Sequence, residues 1–112
     1  MRRLDASDYR AVFNHSHPWH GFTLSIWVRS ATNAGRRAGV VVSKKNFRRA
    51  VDRNRAKRLM REAFRLNRSQ IAADVDLVIS ARRAMAGKSC ADVSGDFEKT
   101  CRRAGIWRER NG

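Results

Sequence analysis

Residues 43–68, SKKNFRRAVDRNRAKRLMREAFRLNR, hold eleven Lys and Arg against two acids, yet carry one regular apolar stripe. Ala56, Leu59, Met60, Ala63 and Phe64 recur at i, i+3, i+4, i+7 and i+8, the spacing of a helix with one buried side. That spacing predicts a helix from about residue 52 whose other faces are cationic. Arg53, Lys57 and Arg61 lie on one flank, Arg58, Arg61, Arg65 and Arg68 on the next, and Glu62 is the acid inside the helix. Surface helices usually mix signs, because like charges four residues apart destabilise the helix by a few tenths of a kcal/mol per pair. A face this one-sided favours a polyanionic partner over bare solvent.

The excess is not confined to that helix. Lys and Arg number 25 against 10 Asp and Glu, a formal charge of +15 on 112 residues, which is the length of one domain with one core. Few folded domains of this size carry that charge without a nucleic acid to neutralise it. Arg outnumbers Lys, which suits planar, bidentate contacts with phosphate. Cys90 and Cys101 form no CxxC pair and no zinc-type spacing with His, so both are expected as reduced thiols in a cytoplasmic protein. The start, MRRLDASDYRAVF, is charged throughout and is expected to be neither signal peptide nor membrane anchor. No run approaches the eighteen apolar residues of a membrane span.

Along the chain, residues 4–13 predict a short helix with Ser7 at its N-cap, ending before a loop at 14–21. Residues 22–29 alternate apolar and small polar side chains and predict a strand, and 30–37 a turn. The apolar run 38–43 predicts a central strand, followed by the basic helix, a polar connection at 67–74 and another strand at 75–80, together a βαβ unit. Val93, Phe97 and Cys101 at i, i+4 and i+8 predict a last helix over 89–104, before a short charged tail at 107–112.

The search for chemistry gives little. His15, His17 and His20 share a loop without Cys or carboxylate neighbours, so a metal site is disfavoured. There is no GxSxG elbow, no GxGxxG, no P-loop and no outstanding carboxylate pair, so neither catalytic residues nor metal ligands are expected within the chain. Tyr9 and Phe13 fall on one side of the first helix, with Trp27 on the next strand. They fit either a core or a surface where bases stack beside cations, and spacing alone leaves both open.

Ser43-Lys44-Lys45, then Ala50-Val51, then Arg53-Asn54-Arg55 with Lys57, Arg58, Leu59, Arg61, Glu62 and Phe64, resembles the RNR signature of the bacterial ribonuclease P protein family. The segment from Asp8 to Phe13 is similar to the family's first helix, and 22–28, 39–43 and 76–80 to its strands, so the resemblance covers most of the chain. It implies a single α/β domain over 1–112: an N-terminal helix, a mixed sheet of about four strands with a left-handed βαβ crossover, the basic helix and a C-terminal helix.

The resemblance also implies a role: joining a catalytic RNA that removes the 5′ leader from precursor tRNA with Mg²⁺ held mainly by the RNA, one protein per RNA and no membrane partner. Ser43, Lys44, Lys45, Arg53, Asn54, Arg55, Lys57, Arg58, Arg61 and Arg65 would then face the catalytic RNA. Tyr9, Phe13 and Trp27 would line the cleft for the leader, extended by Arg82 and Arg83. Tyr and Trp stand where many relatives carry Phe and Tyr. The alternative is a structural ribosomal-RNA-binding protein with no part in cleavage. A self-sufficient nuclease lacks the clustered acids it would need, and a DNA-binding helix fits the SKK and RNR context poorly.

Overall fold

The basic helix joins two parallel strands. It runs as α2 over Ala50–Asn67, between β3 (Arg36–Val41) and β4 (Val75–Ala81), in a computed structural model that describes residues 6–30 and 36–109, the side chains of 6–8 and 15 excepted. Before them come α1 (Ala6–His15), β1 (Trp19–His20) and β2 (Leu24–Ser30), and α3 (Cys90–Arg103) closes the order. The strands form one mixed sheet in the order β1-β2-β4-β3, antiparallel except for β3 beside β4. This is the α/β architecture that the sequence implies.

Strand pairing sorts the side chains into two faces, because successive residues point to opposite sides. The rows Val28-Leu77-Ala38 and Ile26-Ile79-Val40, with Leu24 beside Ala81, belong to the main core. The stripe of α2, namely Ala56, Leu59, Met60, Ala63 and Phe64, closes over that face, joined by Val93, Phe97 and Cys101 of α3. Each large side chain sealed here contributes about 1.5–3 kcal/mol of transfer free energy.

Local chemistry fixes the ends of α3. Ser89 Oγ accepts from Asp92 N–H while the Asp92 carboxylate accepts from Ser89 N–H, a reciprocal capping box. At the other end Gly105, at φ 77°, lets its own N–H reach Arg102 O and the Ile106 N–H reach Cys101 O, so buried Ile106 folds back onto the core. In α2, Asp52 in the first turn and Arg65 in the last both complement the helix dipole.

Several expected boundaries move. The helix expected at 4–13 runs over Ala6–His15, its residues 4 and 5 lying outside the described ones, and Ser7 lies inside it rather than at its cap. The stretch 14–21 is not wholly loop, since Trp19 and His20 pair with Ile26 and Ser25 as β1, a strand too short for any periodicity to reveal. Phe22 and Thr23 belong to the turn before β2, and the turn expected at 30–37 is shortened by strands that take Ser30, Arg36 and Arg37, its middle lying outside the described residues. The run at 38–43 forms an edge strand, not a central one, ending at Val41. The central place belongs to β4, buried without a break from Val75 to Ile79 because it has α2 and α1 across its two faces and a long strand on each side. Trp107, expected in the tail, bridges to Ile71.

Candidate nucleic-acid interface

The second face of the sheet carries a different chemistry, row by row. Across β2, β4 and β3 it reads Arg29-Asp76-Arg37, then Trp27-Val78-Gly39, then Ser25-Ser80-Val41. α1 covers the middle row, where Val12 and Val78 form a small buried cluster with Tyr9, Trp27 and Val41 against it. Gly39 is what admits Tyr9, for a Cβ there would fall 2.1 Å from the phenol oxygen. Beside this cluster, Phe13 meets Trp27 edge to face at 4.9 Å between centroids and keeps 38% of its surface exposed. The structure thus brings Tyr9, Phe13 and Trp27 to one place, partly packed and partly open.

The charged row anchors one end of this face. Asp76 is fully buried and accepts from Arg37 Nε at 2.7 Å and Nη2 at 2.8 Å, and from Arg29 Nη2 at 2.7 Å. Burial pushes its carboxyl pKa up, but the hydrogen bonds from Arg37 and Arg29 outweigh burial and hold it below the usual carboxylate range. Two guanidinium groups on one carboxylate leave the row net positive, with Arg29 Nε buried and unpaired.

At the opposite end lies an open groove lined by Gly21, Phe22, Ser25, Asn46, Arg82 and Arg83, among others. Arg82 donates to Gly21 O at 2.9 Å, tying the end of β4 to the turn before β2. His20 and Ser25 share a hydrogen bond at 2.7 Å on the same side of the sheet. Asn46 also lines a second hollow with Arg48, Arg49 and Arg55, so the loop after β3 links the groove to the start of α2. Ser43 shapes that loop, its Oγ accepting from Asn46 N–H and its carbonyl from Phe47 N–H, while Lys44 and Lys45 stand exposed at the bend.

The cations of α2 divide into tied and free. Arg53 donates through Nη1 to the carbonyls of Phe47 and Arg48, and Arg55 through Nη2 to Lys88 O at 2.6 Å. Arg65 pairs with Glu62, whose carboxyl pKa is lowered by that hydrogen bond. Asn54, Arg58, Arg61 and Arg68 project on one exposed stripe at helical spacing. The side chains of Lys57, Arg58, Arg61 and Arg68 make no hydrogen bond or ion pair among the described residues. A row of uncompensated guanidinium groups on a rigid helix suits the phosphates of a folded nucleic acid.

The remaining candidates separate. His17 stacks near Trp19 and His20 bonds Ser25, and no group of three or more His, Cys, Asp or Glu is placed to hold a metal ion among the described residues. Both cysteines are free thiols, and burial pushes the Cys101 pKa up to about 12. No helix is long and apolar enough to cross a membrane among the described residues. Phe22, Asn46 and the Arg29-Asp76-Arg37 row escaped the sequence reading. The row is set by strand register, and Phe22 and Asn46 by the tertiary packing of a turn and a loop, so all are invisible without the fold.

Comparisons with known proteins follow the same line. The model of the family described as Ribonuclease P matches residues 2–105. The ribonuclease P protein component of Chromohalobacter salexigens is 49% identical over 86 residues, 76% of this chain and 66% of that one, just under two thirds of its length. That of Thioalkalivibrio sulfidiphilus is 37% identical over 99 residues, 88% of this chain and 82% of that one. In fold, the Staphylococcus aureus RNase P protein superposes with a TM-score of 0.83 at 23% identity, covering 96% of this chain and 99% of that chain. The Thermotoga maritima protein gives 0.80 at 24% identity, covering 92% and 97%.

Proposed function

The chain belongs to the bacterial ribonuclease P protein family, and from that premise we propose that it is the protein subunit of a ribonucleoprotein that removes the 5′ leader of precursor tRNA. One protein joins one catalytic RNA. The observation that carries this reading is the division of labour on the surface: a helix stripe of unpaired cations on one element and a half-open aromatic row between cationic ends on another.

The free stripe of Arg58, Arg61 and Arg68 with Asn54, and Lys44 and Lys45 at the bend, take the phosphates of the catalytic RNA. Arg53 and Arg55 hold the loops flanking the helix start, presenting their remaining N–H groups to the same RNA. Phe13 and Trp27 stack bases of the single-stranded leader, with Tyr9 backing them and Arg82 and Arg83 following the phosphates onward. Each stacked base is worth about 1–3 kcal/mol. Mature tRNA has no leader, so these contacts favour substrate over product, about tenfold for every 1.4 kcal/mol. The +15 charge also offsets repulsion between two RNAs.

The reaction needs Mg²⁺. The described side chains do not fit a divalent-cation site, since Asp76 has both oxygens engaged by arginines and Asp96 accepts from Thr23 and Phe22. In this reading the RNA holds the ion.

The test is cleavage of 5′-labelled precursor tRNA at low Mg²⁺ by bacterial ribonuclease P RNA, with and without the protein, beside a protein-only control. The expected result is strong stimulation with no protein-only activity, and Trp27→Ala weakening precursor about 5- to 100-fold while sparing mature tRNA. RNA binding without stimulation would refute the proposal in favour of a structural RNA-binding protein.

A further inference from the structure

Among the described residues Phe22 is the most exposed large apolar side chain, with 66% of its surface in solvent, although burying a Phe gains about 1.5–3 kcal/mol. Its backbone is nonetheless held firmly. Asp96 of α3 accepts from Phe22 N–H at 3.2 Å and from Thr23 N–H and Oγ1 at 2.7 Å, and Gly21 N–H closes the turn onto Leu24 O at 2.7 Å. Gly21 allows this contact, since a Cβ there would lie 2.6 Å from Thr100 Oγ1 and 2.8 Å from the Asp96 carboxylate. The turn is clamped to α3 while its aromatic ring is held out.

What surrounds the ring is cationic on the groove side. Arg82 and Arg83 line that groove with the ring, and Lys88 Nζ lies 5.3 Å from its centroid on the α3 side, in a second hollow that Phe22 shares with Asp92, Asp96 and Lys99. The acids behind it, Asp92 and Asp96, are occupied by the capping box and by the turn. The groove holds about 560 Å³, within the usual ~300–1,000 Å³ of small-ligand sites, so a base with its phosphate fits. It continues the aromatic row, because Ser25 lines it and lies two residues from Trp27 on the same side of β2. Leu24 and Trp27 are ~10 Å apart along β2 at ~3.3 Å per residue, and Phe22 lies in the turn beyond Leu24, so the two rings stand at separate places.

We infer that Phe22 is a second stacking platform for single-stranded RNA, taking a leader base distinct from the one at Phe13 and Trp27, with Arg82, Arg83 and Lys88 on the adjoining phosphates. The inference rests on the leader-binding reading and assigns it a second subsite. An exposed ring flanked by cations, on a clamped turn, is the combination that binds bases without reading their edges.

The test pairs protein variants with leader variants in the reconstituted holoenzyme. Precursors each carrying one abasic leader nucleotide are titrated against wild type, Phe22→Ala, Phe22→Trp and Trp27→Ala, with mature tRNA as control. Phe22→Ala should weaken precursor binding about 5- to 100-fold, Phe22→Trp should restore it, and mature tRNA should be unchanged. One abasic position should silence the Phe22→Ala effect, and a different one that of Trp27→Ala. If Trp27→Ala weakens precursor but Phe22→Ala does not, the second platform is refuted and the leader cleft stands. Loss from neither substitution would overturn both. Equal loss for mature tRNA, weaker assembly with the catalytic RNA, or one abasic position silencing both substitutions would overturn the separate subsite.

Discussion

The two faces of the sheet are built from the same three long strands and have opposite characters. On the α2–α3 side the rows through Leu77 and Ile79 are aliphatic, with Leu24, Ile26, Leu77, Ile79, Met60, Phe64, Phe97 and Cys101 all at or near zero exposure and Val28, Ala38 and Val40 half-buried at their ends. On the α1 side, among the described residues, Val12 and Val78 make the one buried apolar pair, between a charged row and the row Ser25-Ser80-Val41. Strand alternation makes this separation possible, because neighbours in sequence can serve opposite purposes. Stability is concentrated on one face, and the other can leave aromatic rings half open without unfolding the chain.

Phe97→Ala should break the sealed face with the largest effect. Deleting that ring leaves a cavity among residues with no freedom to collapse, at a cost of about 3–5 kcal/mol against a total of ~5–15 for a small domain. Denaturant titration measures it. A loss below about 1 kcal/mol would mean that α3 does not close the core.

Asp76→Asn tests whether the open face is as dispensable as its small apolar cluster suggests. The variant removes the carboxylate that Arg29 and Arg37 share, and breaking a buried pair in this way costs about 3 kcal/mol. The pH dependence has a definite sign. Because the folded carboxyl pKa lies below its ordinary value, the stabilisation is complete above that value and is lost as pH falls through the folded one. The gap in stability between wild type and variant should therefore be constant near neutrality and shrink below about pH 4. A gap that widened in acid would contradict the carboxylate's ion pairing.

How much of this could be read from sequence follows from the range of the interactions. The stripe of α2 and the i, i+4, i+8 set of α3 depend on neighbours within two turns, so both helices and their buried residues were legible. β1 is two residues long and exists only because Ile26 and Ser25 lie opposite it, and β3 is an edge strand despite its apolar run, since strand order is a property of the whole sheet. The aromatic trio was legible as a set, but its meeting point depends on Gly39 giving way to Tyr9. The Arg29-Asp76-Arg37 row was not legible because register brings its members from remote segments, and Phe22 was not because Asp96 and Lys88, which meet it, lie more than sixty residues away.

The basic helix contains the same contrast in miniature, and it gives the smallest and most discriminating prediction. Arg53 and Arg58 are alike in sequence, yet Arg53 secures two carbonyls of the preceding loop while Arg58 has no partner among the described residues. Arg53→Ala should therefore cost the free protein about 1–2 kcal/mol, the loss of charge-assisted bonds to one part-buried and one exposed carbonyl. Arg58→Ala should change stability by less than about 0.5 kcal/mol, as exposed positions do. Against the catalytic RNA the order reverses in kind: Arg58→Ala should lower the slope of log K on log salt by about 1 with the fold intact. Melting curves and salt titrations on the same two variants separate the roles. An unchanged salt slope for Arg58→Ala would remove the free stripe from the RNA interface, whereas equal destabilisation by both substitutions would mean that Arg58 is as tied as Arg53.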